Sequence, residues 1–280
     1  MVNDIFIYKL KNACGRMRIG EMLCGHTTFR VGGPCIALAE PISYEEICNV
    51  IKLCREYDVP YFVIGRGSNL LVSDEGYNGV VIKIGSGMAN LHEESGKIYA
   101  QAGCTLSALA FFAFENGIGG FEFASGIPGS VGGGIRMNAG AYGREIKDIL
   151  ESCCYLGSDG SLNHISAFEA GLRYRGSMFC DTDDLIILSA VFAGIPNSDK
   201  EEIRKKMNEL NGRRREKQPL EFASAGSTFK RPEGYFAAKL IEDCGLKGYS
   251  CGKAAVSEKH AGFVVNRGGA TCSDIVNVIK

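Results

Sequence analysis

Tryptophan is absent from the 280 residues, and histidine occurs only at 26, 92, 164 and 260, each far from the next. The first absence argues against an aromatic binding platform. The second, with no CxxC spacing among twelve cysteines, leaves no zinc-ligand pattern, and no metal is expected. Neither sign of charge is in excess: Lys+Arg number 31 against Asp+Glu 32, for a formal net charge of −1. That balance, with 45% hydrophobic residues, excludes the basic footprint of a nucleic-acid binder and the composition of a disordered chain. No apolar run is long enough to span a bilayer, and MVNDIFIYKLKNACG lacks the apolar stretch and cleavage site of a secretory leader. Twelve cysteines in this setting read as buried, reduced thiols of a cytoplasmic protein, not as a disulfide framework. No membrane, nucleic-acid or obligate protein partner is expected.

What the chain has in plenty is glycine, 37 residues of it, concentrated in ASGIPGSVGGGIRMNAGAYG (124–143). Such a bare stretch suits backbone that approaches a phosphate or a flat cofactor. Around it, Ser43 and Glu46 predict a capping box before a helix with Ile47, Val50, Ile51 and Cys54 on one face, stopped by Pro60. YFVIG (61–65) reads as a short buried strand, and VVIKIG (80–85) and KIYAQAG (97–103) as two more. Thr105 opens a helix that Gly117 ends in the left-handed region. A hairpin is predicted in YLGSDGSLNHI, with a tight turn at Asp159-Gly160, and a strand at 184–194. Ile203, Met207 and Leu210 mark an amphipathic linking helix over 198–217. Beyond it come a helix in FAAKLIEDCG, a strand in GFVVN, and a helix from Thr271 presenting Ile275, Val276 and Ile279. Irregular alternation with turns suited to antiparallel pairs predicts an α+β fold in two lobes.

The loop GRGSNLL follows a strand directly, and its amides, with the Ser68 hydroxyl and the Asn69 side chain, form a candidate anion nest. It is no phosphate loop of the GK[ST] kind, nor a dinucleotide fingerprint, because Leu70 stands at the third glycine position. By itself it could be an ordinary strand-exit turn. A second Gly/Ser loop, IPGSVGG with Ser130 and a turn set by Pro128, suggests a dinucleotide lying between the two, its pyrophosphate on backbone amides. Arg175 would supply a permanently charged fork, or would be a surface arginine at a strand edge. Ser227, in ASAGSTFKRP, lacks the G-x-S-x-G context and a His–Asp pair, so a proton-passing role suits it better than nucleophilic attack, and a turn serine is the plain alternative.

Taken in order, HTTFRVGGP (26–34), IGRGSNLL (64–71), GIPGSVGG (126–133) with MNAGAYG (137–143), YR (174–175), AGSTFKRP (225–232) and SEKH (257–260) with FVVN (263–266) resemble the UDP-N-acetylenolpyruvoylglucosamine reductase family of bacterial peptidoglycan synthesis. The form implied is the one without an extra tyrosine-bearing loop, since no insertion separates Arg175 from Ser227. The resemblance implies a vanillyl-alcohol-oxidase/PCMH-type FAD-binding domain in two subdomains (1–80 and 81–205) and a smaller α+β substrate-binding domain (206–280). It implies non-covalent FAD, with contacts at Gly65, Arg66, Gly67, Ser68, Asn69, Gly126, Ile127, Ser130, Gly132, Gly133, Ala139 and Gly140. It further implies that NADPH reduces FAD, that flavin N5 delivers hydride to C3 of the enolpyruvyl ether, and that C2 is then protonated to give UDP-N-acetylmuramate. Ser227 matches the proton donor and Arg175 the catalytic arginine. Tyr142, Lys217 and His260 match substrate positions, and Arg231 stands where many relatives carry asparagine.

These roles are physically coherent. Hydride addition builds negative charge on the conjugated carboxylate, which a fixed cation stabilises, and a serine held in line can protonate a carbanion-like carbon. The family also carries a catalytic glutamate beyond the FVVN region. This sequence ends before it, and a helix stopping at Lys280 suggests a truncated chain whose apolar helix face lacks its supporting strand. Two alternatives follow. One is another flavin oxidoreductase of the same fold, with covalent FAD on His26 or His92. The other is a catalytically impaired binder of flavin or UDP-sugar.

Overall fold

The computed structural model describes residues 4–280, so residues 1–3, with which the expected first subdomain opens, lie outside the described residues. In chain order the elements begin with α1 (Asp4–Ala13), β1 (Met17–Ile19), β2 (Cys35–Ala39), α2 (Tyr44–Glu56), β3 (Tyr61–Ile64), β4 (Tyr77–Lys83), β5 (Leu91–Glu94), β6 (Lys97–Gln101) and α3 (Leu106–Glu115). They continue with α4 (Val131–Arg136), β7 (Gly140–Ala141), β8 (Arg144–Glu145), β9 (Leu150–Leu156), β10 (Leu162–Ser166), β11 (Ile186–Ala193) and α5 (Lys200–Lys217). Last come α6 (Ala237–Asp243), β12 (Ser250–Cys251), β13 (Ala254–Val256), β14 (Val264–Asn266) and α7 (Cys272–Ile279). The chain divides into two compact units. The first holds residues 4–18, Leu38–Arg66 and Val80–Gly212, and the second Ile19–Ala37, Gly67–Gly79 and Arg213–Lys280.

In the first unit, β11 is the middle strand of an antiparallel sheet in the order β10-β9-β11-β6-β5. Its central place explains why Ile186, Ile187 and Leu188 are buried in succession, where a half-covered strand would alternate. α3 buries Leu106, Leu109, Ala110 and Ala113, the i, i+3, i+4, i+7 stripe, and Thr105 caps it by accepting from the Ala108 amide at 3.0 Å. Gly117 ends it at φ +67°. On α2 the predicted face is buried, and Ser43 accepts from the Glu46 amide. The reciprocal arm of the capping box differs: Glu46 accepts from the amide of Ile42, not of Ser43. The 159–160 turn is one corner of a longer loop, Gly157 to Ser161, closed by a 2.8 Å bond from the Gly157 amide to the Ser161 carbonyl.

Two expectations need correction here. The glycine-rich centre is not all loop, because Val131–Arg136 is a helix, α4, opened by Ser130, which accepts from the Gly133 amide. Its glycines meet other chain segments: a Cβ on Gly132 would lie 3.0 Å from Ala102 Cβ, and one on Gly134 3.0 Å from Leu106 Cδ2. Tertiary contact thus overrides glycine's poor helix propensity. Secondly, β3 is not a buried strand. It pairs in parallel with β4 at the edge of the β1-β2-β4-β3 sheet, and only Ile64 of its four residues is fully buried.

The second unit is built on the antiparallel sheet β12-β13-β14. Side chains alternate: Ala254, Val256 and Val264 face a core with Phe29, Val31, Ile275 and Val278, while Ala255, Phe263 and Val265 cluster separately. α7 buries Ile275 and Val278, with Ile279 packed partly against the same core, so Val276 is not on the inner face as expected. Its phase is set by the Thr271/Asp274 capping box. The apolar face of α7 is therefore covered by this core, contrary to the expectation of an unsupported helix. Asn266 is 5% exposed and bonded through both ends of its amide. Its Nδ2 donates to Phe29 O at 2.9 Å, and its Oδ1 accepts from the amides of Gly268 and Ala270 at 2.8 and 3.0 Å.

Asp74 clamps the start of α7, accepting from the amides of Cys272 (2.6 Å) and Ser273 (3.0 Å) and from the Ser273 hydroxyl (3.0 Å). Burial would raise this carboxyl, but the three bonds outweigh it and hold the pKa below the ordinary aspartate value. A depressed folded-state pKa means the clamp contributes fully above the usual aspartate range and fades as pH falls through the lowered value. Asp74→Ala is expected to cost about 1 kcal/mol at pH 7, the usual worth of a helix cap. Urea midpoints measured from pH 7 downward check this: the gap between parent and variant should close in acid.

Candidate functional site

Gly65, at the start of the first glycine/serine loop, and Ser130 of the second, 65 residues apart in sequence, meet in the first unit. A Cβ on Gly65 would lie 2.1 Å from Ser130 Oγ and 3.2 Å from its Cβ, an approach open to glycine alone. Beside this contact is a cleft lined by Tyr61–Gly65, Ile84, Ala102, Ser130, Gly132, Gly133, Arg136, Phe179, Asp183 and 185–187. Ser130 is 2% exposed, held as the cap of α4. At the rim, Arg136 donates to Asp183 Oδ1 at 2.6 Å, joining α4 to the strap before β11.

Of the expected cofactor residues, Gly65, Ser130, Gly132 and Gly133 line the cleft; Arg66, Gly67, Ser68, Asn69, Gly126, Ile127, Ala139 and Gly140 do not. Sequence reasoning missed the edge strand 61–64, Arg136, Phe179 and Asp183. Tyr61–Ile64 is uniformly apolar, so its sequence carries no signal that marks β3 as the wall of a cleft. A pyrophosphate asks for N–H donors not already used by the chain. Among the described residues, the amides of Arg66, Gly67, Ser68 and Asn69 donate to no acceptor, and neither do those of Gly126, Gly129 and Ser130. The amides of Val131, Gly132 and Gly134 are already taken, by the carbonyls of Cys104, Ala102 and Ser130. Within the first unit the residues present therefore fit a dinucleotide phosphate, with unused donors at Arg66, Gly126, Gly129 and Ser130 and not in the first turn of α4, while Gly67, Ser68 and Asn69 belong to the second unit.

Arg175 also belongs to the first unit. It sits at the tip of a tight turn closed by reciprocal bonds between Arg173 and Gly176, in the left-handed region at φ +54°. Its guanidinium lies 5.2 Å from the Tyr174 ring and donates to the carbonyls of Asn138 (3.5 Å) and Gly140 (3.1 Å). Two of five N–H groups are thus spent on placing the fork. Tyr142, at φ +57°, donates its hydroxyl to Leu210 O on α5 at 2.9 Å. Three non-glycine residues in left-handed conformation, Asn138, Tyr142 and Arg175, therefore belong to one small region, a pattern that strain at functional sites produces.

Ser227, Lys217, Arg231 and His260 belong to the second unit. Residues 223–228 run antiparallel to the strand edge at 263–266, with bridges Ala223–Asn266 and Ser227–Phe263. Thr228 secures the turn: its amide donates to Gly262 O at 2.8 Å and its hydroxyl accepts from the Val264 amide at 3.2 Å. Ser227 itself is exposed, follows Gly226 at φ +81°, and its hydroxyl has no hydrogen-bond partner among the described residues. His260 stands edge-on to Phe263 at 5.0 Å and accepts from the Gly262 amide through Nδ1. Burial lowers its pKa, so the ring is neutral at pH 7 with the proton on Nε2. Phe263 thereby holds Ser227 and His260 in one neighbourhood. Lys217 is exposed at the end of α5, and Arg231 lies over the Phe236 ring at 4.5 Å.

Neither histidine of the covalent-flavin alternative lines the cleft. His26 is buried 2.9 Å from Glu21 Oε1, and His92 stacks on Tyr99 at 4.7 Å. All twelve cysteines are free, but only five are buried, fewer than expected; burial pushes Cys54 and Cys153 up to about 12. Among the described residues no cluster of metal-binding side chains occurs, and no helix is long and apolar enough to cross a membrane.

Residues 35–166 match the FAD binding domain family, and residues 218–280 match the family of the UDP-N-acetylenolpyruvoylglucosamine reductase C-terminal domain. The UDP-N-acetylenolpyruvoylglucosamine reductase of Caldanaerobacter subterraneus subsp. tengcongensis is 47% identical over 279 residues, which are 99% of this chain and 91% of that one. The crystal structure of UDP-N-acetylenolpyruvylglucosamine reductase from Thermus caldophilus superposes with a TM-score of 0.82 at 34% identity, covering 94% of each chain. p-Cresol methylhydroxylase, at 15% identity and a TM-score of 0.50 over 69% of this chain and 43% of its own, shares the fold. The α+β fold is thus of the vanillyl-alcohol-oxidase/PCMH type.

Proposed function

Because the chain belongs to the UDP-N-acetylenolpyruvoylglucosamine reductase family, we propose that it is an FAD enzyme that reduces UDP-N-acetylenolpyruvoylglucosamine to UDP-N-acetylmuramate at the expense of NADPH, in peptidoglycan precursor synthesis. The observation that carries this reading is the meeting of Gly65 with Ser130 in the wall of one cleft, with unused amides in the same unit at Arg66, Gly126, Gly129 and Ser130. FAD held there non-covalently would supply the hydride chemistry, taking hydride from NADPH and passing it to C3 of the enolpyruvyl ether.

The chain's own residues supply the rest. In the first unit the amides of Arg66, Gly126, Gly129 and Ser130 would hold the pyrophosphate and the bare backbone at Gly65, Gly132 and Gly133 would let it come close, while in the second unit Gly67, Ser68 and Asn69 offer unused amides for cofactor contacts. Ile127, Ala139 and Gly140 complete the cofactor contacts in this reading. Arg175, its fork fixed by two carbonyls, stabilises the charge that develops on the substrate carboxylate. Ser227, presented by a turn that leaves its hydroxyl unspent, donates the proton to C2. Lys217, Arg231 and Tyr142 contact the UDP-sugar, and neutral His260 offers Nε2–H as a donor beside Ser227. In this reading residues 1–80 and 81–205 form the two FAD subdomains and 206–280 the substrate domain. The twelve free thiols favour a cytoplasmic setting.

The test is the visible spectrum of the purified protein, recorded anaerobically before and after NADPH and again after the enolpyruvyl substrate. The expected result is a flavin band that bleaches and then returns. A colourless protein would overturn the reading. A yellow protein indifferent to both would indicate a silent binder, and flavin retained on denaturation would indicate a covalent flavoenzyme.

A further inference from the structure

Asn138 is 0% exposed, and its side chain is bonded on both sides. Its Nδ2 donates to Glu145 Oε2 at 3.0 Å and to the Arg173 carbonyl at 3.1 Å, while its Oδ1 accepts from the Lys147 amide at 3.0 Å. Only one orientation of the amide serves these partners: rotated by half a turn, its NH2 would face an N–H and its oxygen two oxygens. Its backbone is left-handed at φ +41°, which asparagine tolerates better than most residues and glycine better still. The reason for a side chain here lies in what it holds. Arg173 O, which Nδ2 bonds, is at the base of the turn that carries Arg175, and the Arg175 guanidinium rests on the carbonyl of Asn138 itself.

We infer that Asn138 is the positioning residue of Arg175, fixing the base of the 173–176 turn through its side chain and the guanidinium at the tip through its own carbonyl. This rests on the proposed role of Arg175 toward the substrate carboxylate. Glu145, paired with Lys147 at 2.9 Å and capping the turn that follows β8, anchors Asn138 from the far side. The loop 137–143, whose small residues suit a cofactor approach, thus also contains the support for a cation on a separate segment, about 35 residues on. With its direction set before substrate arrives, the fork meets the developing charge with no reorganisation left to perform.

The experiment is a double-mutant cycle on the flavin-loaded protein. Asn138→Asp keeps the shape and the acceptor for Lys147 but turns an oxygen toward Glu145 and Arg173 O. It should slow reoxidation of pre-reduced flavin by UDP-N-acetylenolpyruvoylglucosamine by about 10- to 100-fold, the cost of an ångström-scale misplacement. Reduction by NADPH should be unchanged. In an Arg175→Ala background the same substitution should add no further slowing, because residues acting as one unit are not additive. Calorimetric titration of the oxidised protein with the same substrate should repeat the pattern in affinity. Asn138→Gly, which retains the left-handed backbone, repeats the cycle should the aspartate fail to fold. A slowing that multiplies onto that of Arg175→Ala overturns the positioning role alone. If Arg175→Ala leaves reoxidation unchanged, the role of Arg175 falls and takes this inference with it.

Discussion

Ser227→Ala is expected to reduce its flavin with NADPH at the parental rate and to reoxidise it with enolpyruvyl substrate about 10²–10⁴-fold more slowly, the span that positioned proton transfer contributes. The asymmetry follows from the turn. Gly226 at φ +81° and the anchored Thr228 set the backbone without help from the Ser227 side chain, whose hydroxyl bonds to nothing described. Removing an exposed oxygen with no partner should leave stability within about 0.5 kcal/mol of the parent. Folding and flavin binding then act as internal controls, and rapid-mixing absorbance separates the two half-reactions. Parental reoxidation in the variant would make Ser227 a turn residue and nothing more.

Gly65→Ala should weaken FAD binding by about 10- to 100-fold, equivalent to the 1–3 kcal/mol that overpacking a close contact costs. The added methyl would sit 2.1 Å from Ser130 Oγ, and displacing that hydroxyl, in a residue 2% exposed, takes it from its cap on the Gly133 amide. The strain must open either the end of β3 or the first turn of α4, and both line the cleft. A second variant localises the effect. Gly65→Ala with Ser130→Ala removes the hydroxyl and leaves only a 3.2 Å contact to Cβ, so affinity should recover in part, less the lost cap. Fluorescence titration of the apoprotein with FAD measures both. Parental affinity in Gly65→Ala would show that this contact does not shape the cofactor site.

Much of the fold was legible locally. The caps at Ser43, Thr105 and Thr271 act within one helical turn, and the stripe 47, 50, 51, 54 needs only the helix period to be seen. Errors arose where a distant segment decided. β3 reads as a buried strand because its side chains are apolar, yet its edge position leaves it lining a cleft. The 131–136 stretch reads as loop because glycine is a poor helix former, but Ala102 and Leu106 require those glycines to pack the helix. The inner face of α7 was mistaken by one residue position, because Ile275, Val276, Val278 and Ile279 are all apolar and only the core against them selects among them.

The order of motifs along the chain was sufficient for the family, and through it for the fold class and the flavin. Those properties are additive along the sequence or reside in neighbours a few residues apart. The tertiary structure alone decided that Gly65 meets Ser130, that the spare donors lie in the loops and not at the start of α4, that Arg136 reaches Asp183, and that Asn138 supports Arg175. The Gly65, Arg136 and Asn138 contacts each join segments more than thirty residues apart, and the amides of Val131 and Gly132 at the start of α4 are taken by carbonyls 27 and 30 residues back. Such contacts depend on how packed elements close on one another, and no local preference of either partner carries that information.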